Sequence, residues 1–234
     1  MSPDPETQLQ HSWLANADAW TDAVREGRIA SRRLATDRAI LEALLARHPR
    51  CVLDVGCGEG WLARALAAQG VAVVGIDASP PLIEAARALG GGDFQTLSYA
   101  EIIDDPTAVT GPFDAAVCNF ALLGEDIVPL LHALRERLAR DGRLYVQSLH
   151  PFTATGDEGY VDGWRVETFA AFGGAYAEPM PWYYRTMGSW LRTLGDARLV
   201  VERCIEPLHP DSRVPMSLLL VCRAHRTNAG WTDA

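Results

Sequence analysis

Apolar residues recur with two different periods along this 234-residue chain, and the change falls near residue 50. Before that point, residues 9–47 carry apolar side chains at helical spacing, and His48 and Pro49 end the run. After it, short β-branched runs alternate with helical segments, which is typical of strands joined by helices. The pattern therefore predicts an N-terminal helical cap over residues 1–49, followed by an α/β core.

The strands are predicted at Cys51–Val55, Val71–Ile76, Asp93–Thr96, Phe113–Asn119, Gly142–His150, Arg198–Ile205 and Val214–Cys222. The core helices are predicted at Trp61–Gln69, Pro80–Leu89, Asp126–Arg140 and about 186–196. Strand–helix–strand units give right-handed crossovers, so we expect an α/β fold with a doubly wound, mostly parallel seven-stranded sheet. Only a short turn-rich link joins the last two strands, so the last strand should be antiparallel.

The whole chain, residues 1–234, is expected to form a single domain. Its core is residues 50–150, and residues 186–234 add a helix and the final strands. Residues 151–185 are rich in glycine, proline and aromatic side chains and have no clear period. Such a stretch in a chain of enzyme size is typical of a substrate lid.

Composition narrows the possible partners. A net charge of -9 and a pI near 5.1 disfavour a surface that neutralises phosphates, so no nucleic-acid partner is expected. The chain has no long apolar run and its first residues are polar, which predicts neither a membrane span nor a signal peptide. We expect a cytoplasmic monomer or homodimer. The five cysteines and the scattered histidines lack metal-ligand spacing, so no metal site is predicted.

The first strand runs directly into the glycine loop, Asp54-Val-Gly-Cys-Gly-Glu-Gly60, and then into a helix. A lone Gly-x-Gly fits a tight turn as well as a cofactor site. Two acidic residues favour the cofactor site over a simple tight turn. Asp54 ends the first strand, where its carboxylate suits a cationic ligand. Asp77 ends the second strand, where its carboxylate can accept hydrogen bonds from ribose hydroxyls. Trp61 stands where a dinucleotide fingerprint has its third glycine. A positively charged nucleoside without a pyrophosphate fits best.

Val52-Leu-Asp-Val-Gly-Cys-Gly-Glu-Gly60 followed by Val74-Gly-Ile-Asp77 resembles the first two motifs of the class I S-adenosylmethionine-dependent methyltransferases. The sequence pattern of the whole chain is similar to that of the small-molecule methyltransferases related to ubiquinone and menaquinone biosynthesis. The resemblance implies a Rossmann-like fold, S-adenosylmethionine as cofactor and methyl transfer to a small molecule. It assigns these residues to the cofactor: Trp20, Arg32, Asp54, Gly56, Cys57, Gly58, Asp77, Ala78, Ser98, Tyr99, Asn119 and Phe120.

Within that set, the resemblance places the glycines at the methionyl part, Asp54 at its ammonium group and Asp77 at the ribose. Ser98 stands where the family usually has an aspartate at the adenine edge. Trp20, with Trp13, is a candidate to flank the sulfonium or the acceptor, and Arg32 or its neighbour a candidate partner of the methionine carboxylate. Ordinary helix packing for the tryptophans and a solvated helix face for the arginines are the alternatives.

Three residues are candidates on the acceptor side. His150 closes the fifth strand, where Pro151 keeps it extended, and an imidazole can take a proton near neutral pH. Tyr183 could orient an acceptor hydroxyl and Arg185 could clamp a carboxylate. A histidine that only bonds the lid, and aromatic residues that only fill the core, remain open alternatives.

The leading hypothesis is methyl transfer to an oxygen atom of a small acceptor, or to a carbon or nitrogen atom. Two alternatives remain open: a nicotinamide-dependent oxidoreductase, and a binding module that keeps the nucleoside site without acceptor chemistry.

Overall fold

The computed structural model describes residues 4–225. Its helices are α1 (Pro5–Ala15), α2 (Ala17–Arg25), α3 (Asp37–Leu45), α4 (Trp61–Ala67), α5 (Pro80–Leu89), α6 (Tyr99–Asp104), α7 (Val128–Glu136) and α8 (Met187–Asp196), with a π-helical turn at Arg32–Thr36 and a 3-10 turn at Pro106–Ala108. Its strands are β1 (Cys51–Val55), β2 (Ala72–Asp77), β3 (Asp93–Thr96), β4 (Phe113–Asn119), β5 (Leu138–Ser148), β6 (Gly163–Glu167), β7 (Met180–Tyr184), β8 (Leu199–Ile205) and β9 (Leu218–Ala224).

The main sheet has seven strands in the order β3-β2-β1-β4-β5-β9-β8. Strands β1 to β5 pair with one another in parallel, and β9 runs antiparallel to both β5 and β8. This confirms the predicted doubly wound sheet with its antiparallel last strand. The order reverses between β1 and β4, so the connections from these two strands lead away from each other.

The hydrophobic core has one layer on each face of this sheet. One layer packs α6, α7 and α8 against the sheet through side chains such as Ile102, Leu131 and Trp190. The other packs α3, α4 and α5 through side chains such as Leu44 and Leu62. The alternating strand and helix patterns of the sequence thus meet in a three-layer arrangement.

The cap is less regular than its continuous helical pattern predicts. Residues 26–29 break the run after α2, and Gly27 there has a φ of 64°, which suits a residue without Cβ. The helix resumes with the π-helical turn Arg32–Thr36 before α3. None of the helices within residues 4–225 is both long enough and apolar enough to cross a bilayer.

The expectation that residues 151–185 have no regular structure is wrong in part. They contain β6 and β7, which pair antiparallel as a separate two-stranded sheet with Trp164 opposite Tyr183. Tyr183 also donates its backbone N–H to the Leu123 carbonyl, 2.7 Å away. This bond fastens β7 to the loop after β4. The part of the predicted C-terminal segment that follows residue 225 lies outside the described residues.

The ring of Phe94 on β3 fixes how closely the glycine loop approaches the sheet. A Cβ on Gly75 would lie 2.6 Å from this ring, and one on Gly60 would lie 2.8 Å from it. Both distances are shorter than real side chains allow. Glycine is therefore required at these positions so that β2, β3 and the loop can pack together.

We expect Gly75→Ala to lower the free energy of unfolding by about 1–3 kcal/mol, because overpacking displaces the buried Phe94 ring. Gly195→Ala is the matched control. It lies in α8 with nothing within 4 Å of the added carbon, and alanine should stabilise the helix by up to about 1 kcal/mol. Urea unfolding of both variants measures the difference, and equal stabilities would contradict this packing role.

Candidate functional site

The carboxyl ends of β1 and β4 lie side by side where the strand order reverses. Val55 of β1 pairs in parallel with Cys118 of β4, and the two strands then lead into α4 and α7. In open α/β sheets the ligand crevice forms at this point, outside the carboxyl ends of the strands. The glycine loop, Gly56–Gly60, forms one wall of the crevice.

The glycine loop is held by bonds to the neighbouring strand. The backbone N–H groups of Gly56 and Cys57 both donate to the Ile76 carbonyl, at 2.8 and 3.0 Å. Gly56 and Gly58 have φ angles of 69° and 56°, a conformation that favours glycine. A Cβ on Gly56 would also lie 2.6 Å from the Ala121 Cβ. The loop therefore lies against the segment that follows β4.

Asp54 is a buried carboxylate at the end of β1, with 2% of its surface exposed. Its Oδ2 has no hydrogen-bond partner in the described part of the chain. Burial, helped by the nearby Asp77 carboxylate, raises the pKa of Asp54 to about 7. A buried carboxylate with an unpaired oxygen favours a cationic partner, so this residue fits an ammonium group.

Asp77 ends β2 and has both carboxylate oxygens in use. Oδ2 accepts from the Gly58 N–H and Oδ1 from the Ser79 N–H, each at 2.9 Å. Burial raises the pKa of Asp77, and these two backbone bonds oppose the rise. Each carboxylate oxygen can accept a further bond, so the pair of hydroxyls of a ribose fits here. Asp77 thus holds the glycine loop in place as well as facing the crevice.

Sequence reasoning missed Glu59, although it lies within the glycine loop. Its side chain is 1% exposed and is held by two arginines. Arg25 of α2 donates to Oε2 at 3.0 Å, and Arg64 of α4 donates to both carboxylate oxygens, at 2.6 and 2.7 Å. Charge-assisted bonds of this kind are strong when both partners are well placed. The Arg25–Glu59 pair joins the cap to the cofactor loop.

Two of the predicted cap residues lie near this loop. The Trp20 indole is adjacent to Gly58, since a Cβ on that glycine would lie 3.8 Å from Nε1. Arg32 stacks over the Trp61 ring at 4.5 Å and donates Nε to both oxygens of Asp37, at 3.0 and 3.1 Å. Trp20 therefore lies beside the glycine loop, and its assignment to the cofactor stays a prediction. The guanidinium of Arg32 already has an anionic partner, so its assignment to a cofactor carboxylate stays a prediction.

The residues predicted for the adenine side occupy different environments. Ala78 is exposed directly after Asp77. Ser98 instead precedes α6 as its N-cap, where its hydroxyl oxygen accepts from Glu101 N–H in a capping box. Ser98 therefore stabilises the helix N-terminus, and the assignment of both residues to the adenine stays a prediction. Its neighbour Tyr99 donates Oη to the Ala121 carbonyl at 3.1 Å, and burial raises the pKa of Tyr99 well above its usual value.

Cys57, another residue predicted for the cofactor, has a side chain that packs in the core. The thiol is 5% exposed, and a Cβ on Gly75 would lie 3.1 Å from its sulfur. Burial raises the pKa of this thiol, so it stays protonated. Cys57 can therefore serve a cofactor only through its backbone.

Asn119 and Phe120 end β4 at the edge of the crevice. Phe120 adopts a φ of 53° and donates its N–H to the Gln147 carbonyl at 2.7 Å. The Asn119 Oδ1 accepts from Gln147 Nε2 at 2.9 Å. Gln147 of β5 was not predicted, although a polar residue within the apolar run of that strand was a usable signal.

Comparison with known proteins supports the interpretation of these motifs. Residues 52–142 match the methyltransferase domain family. The chain is 39% identical over 102 residues to a ubiquinone biosynthesis O-methyltransferase of Xylella fastidiosa, a match that covers 42% of each chain. The chain thus matches less than half the length of this curated relative.

Solved structures extend the likeness to the rest of the fold. An S-adenosylmethionine-dependent methyltransferase of Mesorhizobium loti superposes with a TM-score of 0.59 at 25% identity, over 80% of this chain and 99% of that one. This chain has the motifs and the fold of a class I S-adenosylmethionine-dependent methyltransferase. A Burkholderia thailandensis 1,6-didemethyltoxoflavin-N1-methyltransferase, solved with its substrate and S-adenosylhomocysteine, gives a TM-score of 0.65 at 20% identity, over 97% and 92% of the two chains. S-adenosylmethionine, the predicted cofactor, is the cofactor of this class.

On the acceptor side, the hydrogen bonds of His150 do not support its predicted role as a base. Its Nδ1 accepts from the Phe152 N–H at 3.2 Å, so its proton lies on Nε2, which bonds Glu206 Oε1 at 2.8 Å. Both ring nitrogens are thus engaged, and the ring is 5% exposed. The geometry fits the alternative of a histidine that holds the segment after β5.

Arg185 and Tyr183 also bond the protein itself. Arg185 Nη2 donates to the carbonyls of Gly124 and Glu125, at 2.5 and 2.6 Å, and its guanidinium lies over the ring of Tyr183 at 4.9 Å. With 3% exposure, Arg185 fixes the loop after β4 through Nη2, whereas its Nη1 is buried without a hydrogen-bond partner among residues 4–225. Its assignment as a clamp for an acceptor carboxylate therefore stays a prediction. Burial raises the pKa of Tyr183, with Glu125 contributing. A phenol with a raised pKa stays protonated near neutral pH. It can therefore orient a hydroxyl through a hydrogen bond, but it does not readily form the phenolate that would act as a base.

The cap and the predicted lid are joined by an aromatic cluster and by hydrogen bonds, among them those of one buried amide. The aromatic cluster consists of Trp13, Trp20, Phe169, Phe172, Tyr176 and Trp182. Asn16, between α1 and α2, is 1% exposed; its Nδ2 donates to the Glu178 carbonyl and its Oδ1 accepts from the Ala177 N–H, each at 2.7 Å. Sequence reasoning missed Asn16, because its partners lie more than 160 residues away.

We expect Asn16→Ala to lower the free energy of unfolding by about 1–3 kcal/mol, since it removes two part-buried hydrogen bonds, each contributing about 0.5–1.5 kcal/mol. Hydrogen exchange should accelerate at Ala177 and in the adjoining cap. His11→Ala is the control, because His11 contacts the same segment through an exposed pair with Glu178 worth about 0–1 kcal/mol. Equal exchange in both variants would show that the amide does not hold the lid.

Proposed function

We propose that this chain transfers a methyl group from S-adenosylmethionine to a small-molecule acceptor. The observation that carries the proposal is the pair Asp54 and Asp77 at adjacent strand ends, one an unpaired buried carboxylate and the other bonded to the glycine loop. A cationic amino acid joined to a ribose satisfies both. The class I methyltransferase fold supports the same cofactor.

The chain's own residues hold and orient this cofactor. Asp54 pairs with its ammonium group, Asp77 accepts its ribose hydroxyls, and Trp20 covers the glycine loop beside Gly58. When bound, S-adenosylmethionine supplies an electrophilic methyl group on a positively charged sulfur. The protein's task is then to align the acceptor and to exclude water, and the aromatic cluster of cap and lid suits both.

We propose that the acceptor atom is an oxygen. This assignment is supported by the Xylella fastidiosa relative, which is an O-methyltransferase at 39% identity over 102 residues. The aromatic cluster supports an acceptor that is itself aromatic, because such rings pack well against one another. The free state of all five cysteines supports a reducing compartment such as the cytoplasm.

A nicotinamide cofactor suits the loop less well. Trp61 begins α4 where a dinucleotide site needs a glycine, and the Arg32 guanidinium covers its ring at 4.5 Å. The buried Asp54 would also repel a pyrophosphate. A binding module without acceptor chemistry shares the whole cofactor site and differs only in turnover.

Calorimetry with S-adenosylhomocysteine and with NAD tests the cofactor. We expect binding of the first alone, and Asp77→Ala should weaken it at least tenfold, since charge-assisted bonds contribute about 1.5–3 kcal/mol each. Asp104→Ala, at an exposed helix end, is the matched control. Binding of NAD without the adenosyl ligand would overturn the proposal. Transfer of radiolabelled methyl to a panel of phenols then separates an enzyme from a binding module.

The raised pKa of Asp54 predicts a pH dependence of cofactor affinity. Below its pKa of about 7 the free protein holds Asp54 protonated, and that proton must leave before the carboxylate can pair with an ammonium. The ligand's α-ammonium keeps its charge up to about pH 8. Affinity for S-adenosylhomocysteine should therefore rise from pH 5.5 towards pH 7.5, approaching about tenfold per unit at the acid end. Asp54→Asn should bind more weakly with a flat profile, whereas a flat wild-type profile would contradict this pairing.

A further inference from the structure

Buried polar atoms without partners extend from the cofactor site towards β5. Within residues 4–225 they include Asp54 Oδ2, Thr36 Oγ1 and Gln147 Oε1. Thr36 is fully buried and Gln147 is 1% exposed. Most buried polar groups in proteins are hydrogen-bonded, so unpaired atoms that lie close together require an explanation.

The sheet register places these groups on one face. Asp54 pairs with Val117 of β4, and Val117 pairs with Tyr145 of β5. Side chains alternate along a strand, so Asn119 and Gln147, two positions further on, point to that same face. Val117 and Tyr145 pack there with α3, and Thr36 directly precedes α3. The polar groups therefore lie between the carboxyl ends of the strands and the start of α3.

The orientation of the Gln147 amide follows from its partners. Its Nε2 lies 3.1 Å from the Thr36 carbonyl, which can only accept a hydrogen bond. The same Nε2 lies 2.9 Å from Asn119 Oδ1. Both N–H groups are thus used, and the carbonyl oxygen of Gln147 is left as a buried acceptor. An amide needed only to brace α3 against the sheet would not require an unpaired oxygen.

The position along the sheet separates this group from the cofactor. Asp77 lies on β2 and Asp54 on β1, whereas Gln147 lies on β5, two strands beyond β1. With strands about 4.8 Å apart, the sideways distance from Asp54 to Gln147 is roughly 10 Å. The ribose and the ammonium group of the cofactor would lie over β2 and β1. The methyl acceptor would then lie over β4 and β5.

We propose that Gln147 and Thr36, with Asn119 beside them, form the polar wall of the acceptor pocket and select a neutral acceptor that donates hydrogen bonds, such as a phenolic hydroxyl. This inference rests on the proposed methyl transfer and deepens it. Gln147 Oε1 accepts from the acceptor's hydroxyl and the Thr36 hydroxyl bonds the same molecule. Gln147, Thr36 and Asn119 carry no charge, so an anionic acceptor finds no counter-charge among these three residues.

Thr36→Val gives the sharpest test, because valine keeps the shape of threonine and removes only the hydroxyl. That hydroxyl has no protein partner in the described structure, so the midpoint of urea unfolding should stay the same or rise. Affinity for catechol, measured by calorimetry with saturating S-adenosylhomocysteine, should fall about three- to tenfold. Thr193→Val, a partly buried position in α8, is the matched control and should leave catechol affinity unchanged.

Gln147→Leu should weaken catechol binding at least as much, and 1,2-dimethoxybenzene, which has no hydroxyl to donate, should bind the wild type more weakly than catechol. Affinity for S-adenosylhomocysteine should be unchanged in Thr36→Val. If Thr36→Val destabilises the fold and leaves catechol affinity intact, the hydroxyl is structural and the proposal is wrong. Loss of S-adenosylhomocysteine affinity in that variant would assign the group to the cofactor and also overturn it.

Two wild-type results separate this inference from the proposed function. Failure of the wild type to bind S-adenosylhomocysteine would remove the methyl-transfer proposal itself. Normal binding of S-adenosylhomocysteine together with preference for benzoate over catechol would remove only the neutral-acceptor assignment.

Discussion

The reversal of strand order between β1 and β4 is the constraint on which the candidate site depends. Because the connections from these strands lead in opposite directions, a crevice forms at their carboxyl ends. Asp54 lies at this opening, buried by the strands on each side yet left with an unpaired oxygen. A buried carboxylate of this kind is unfavourable alone and favourable with a cation, so the topology itself prepares a site for a positively charged ligand.

Two of the contacts that fix the cap involve buried side chains. Arg25 of α2 bonds the buried Glu59 of the glycine loop, and Asn16 bonds the backbone of the lid. Each contact joins residues far apart in the chain, so neither can form until the sheet, cap and lid have come together. The position of Trp20 over the loop therefore depends on bonds made on both sides of it. A change in either contact is transmitted to the cofactor site through a single helical pair.

The acceptor side shows that a reactive residue type at a strand end does not by itself make a catalytic group. Both ring nitrogens of His150 bond Glu206 and Phe152, and Arg185 Nη2 bonds the carbonyls after β4. These bonds hold the segments that border the crevice. Gln147, a residue type with little intrinsic reactivity, instead keeps an unpaired oxygen beside Thr36 and Asn119.

The sequence by itself determined the doubly wound sheet and the class of cofactor, because these follow from local patterns: alternating strands and helices, a glycine loop and acids at strand ends. The bounds of β1, β3, β4 and α5 agree with prediction for that reason. The break in the cap and the β6–β7 pairing depended on weaker local signals. Only the tertiary structure decided the roles of Glu59, Asn16 and Gln147, and the engagement of His150 and Arg185. A side chain's hydrogen-bond partners are set by residues distant in the chain, and no local period records them.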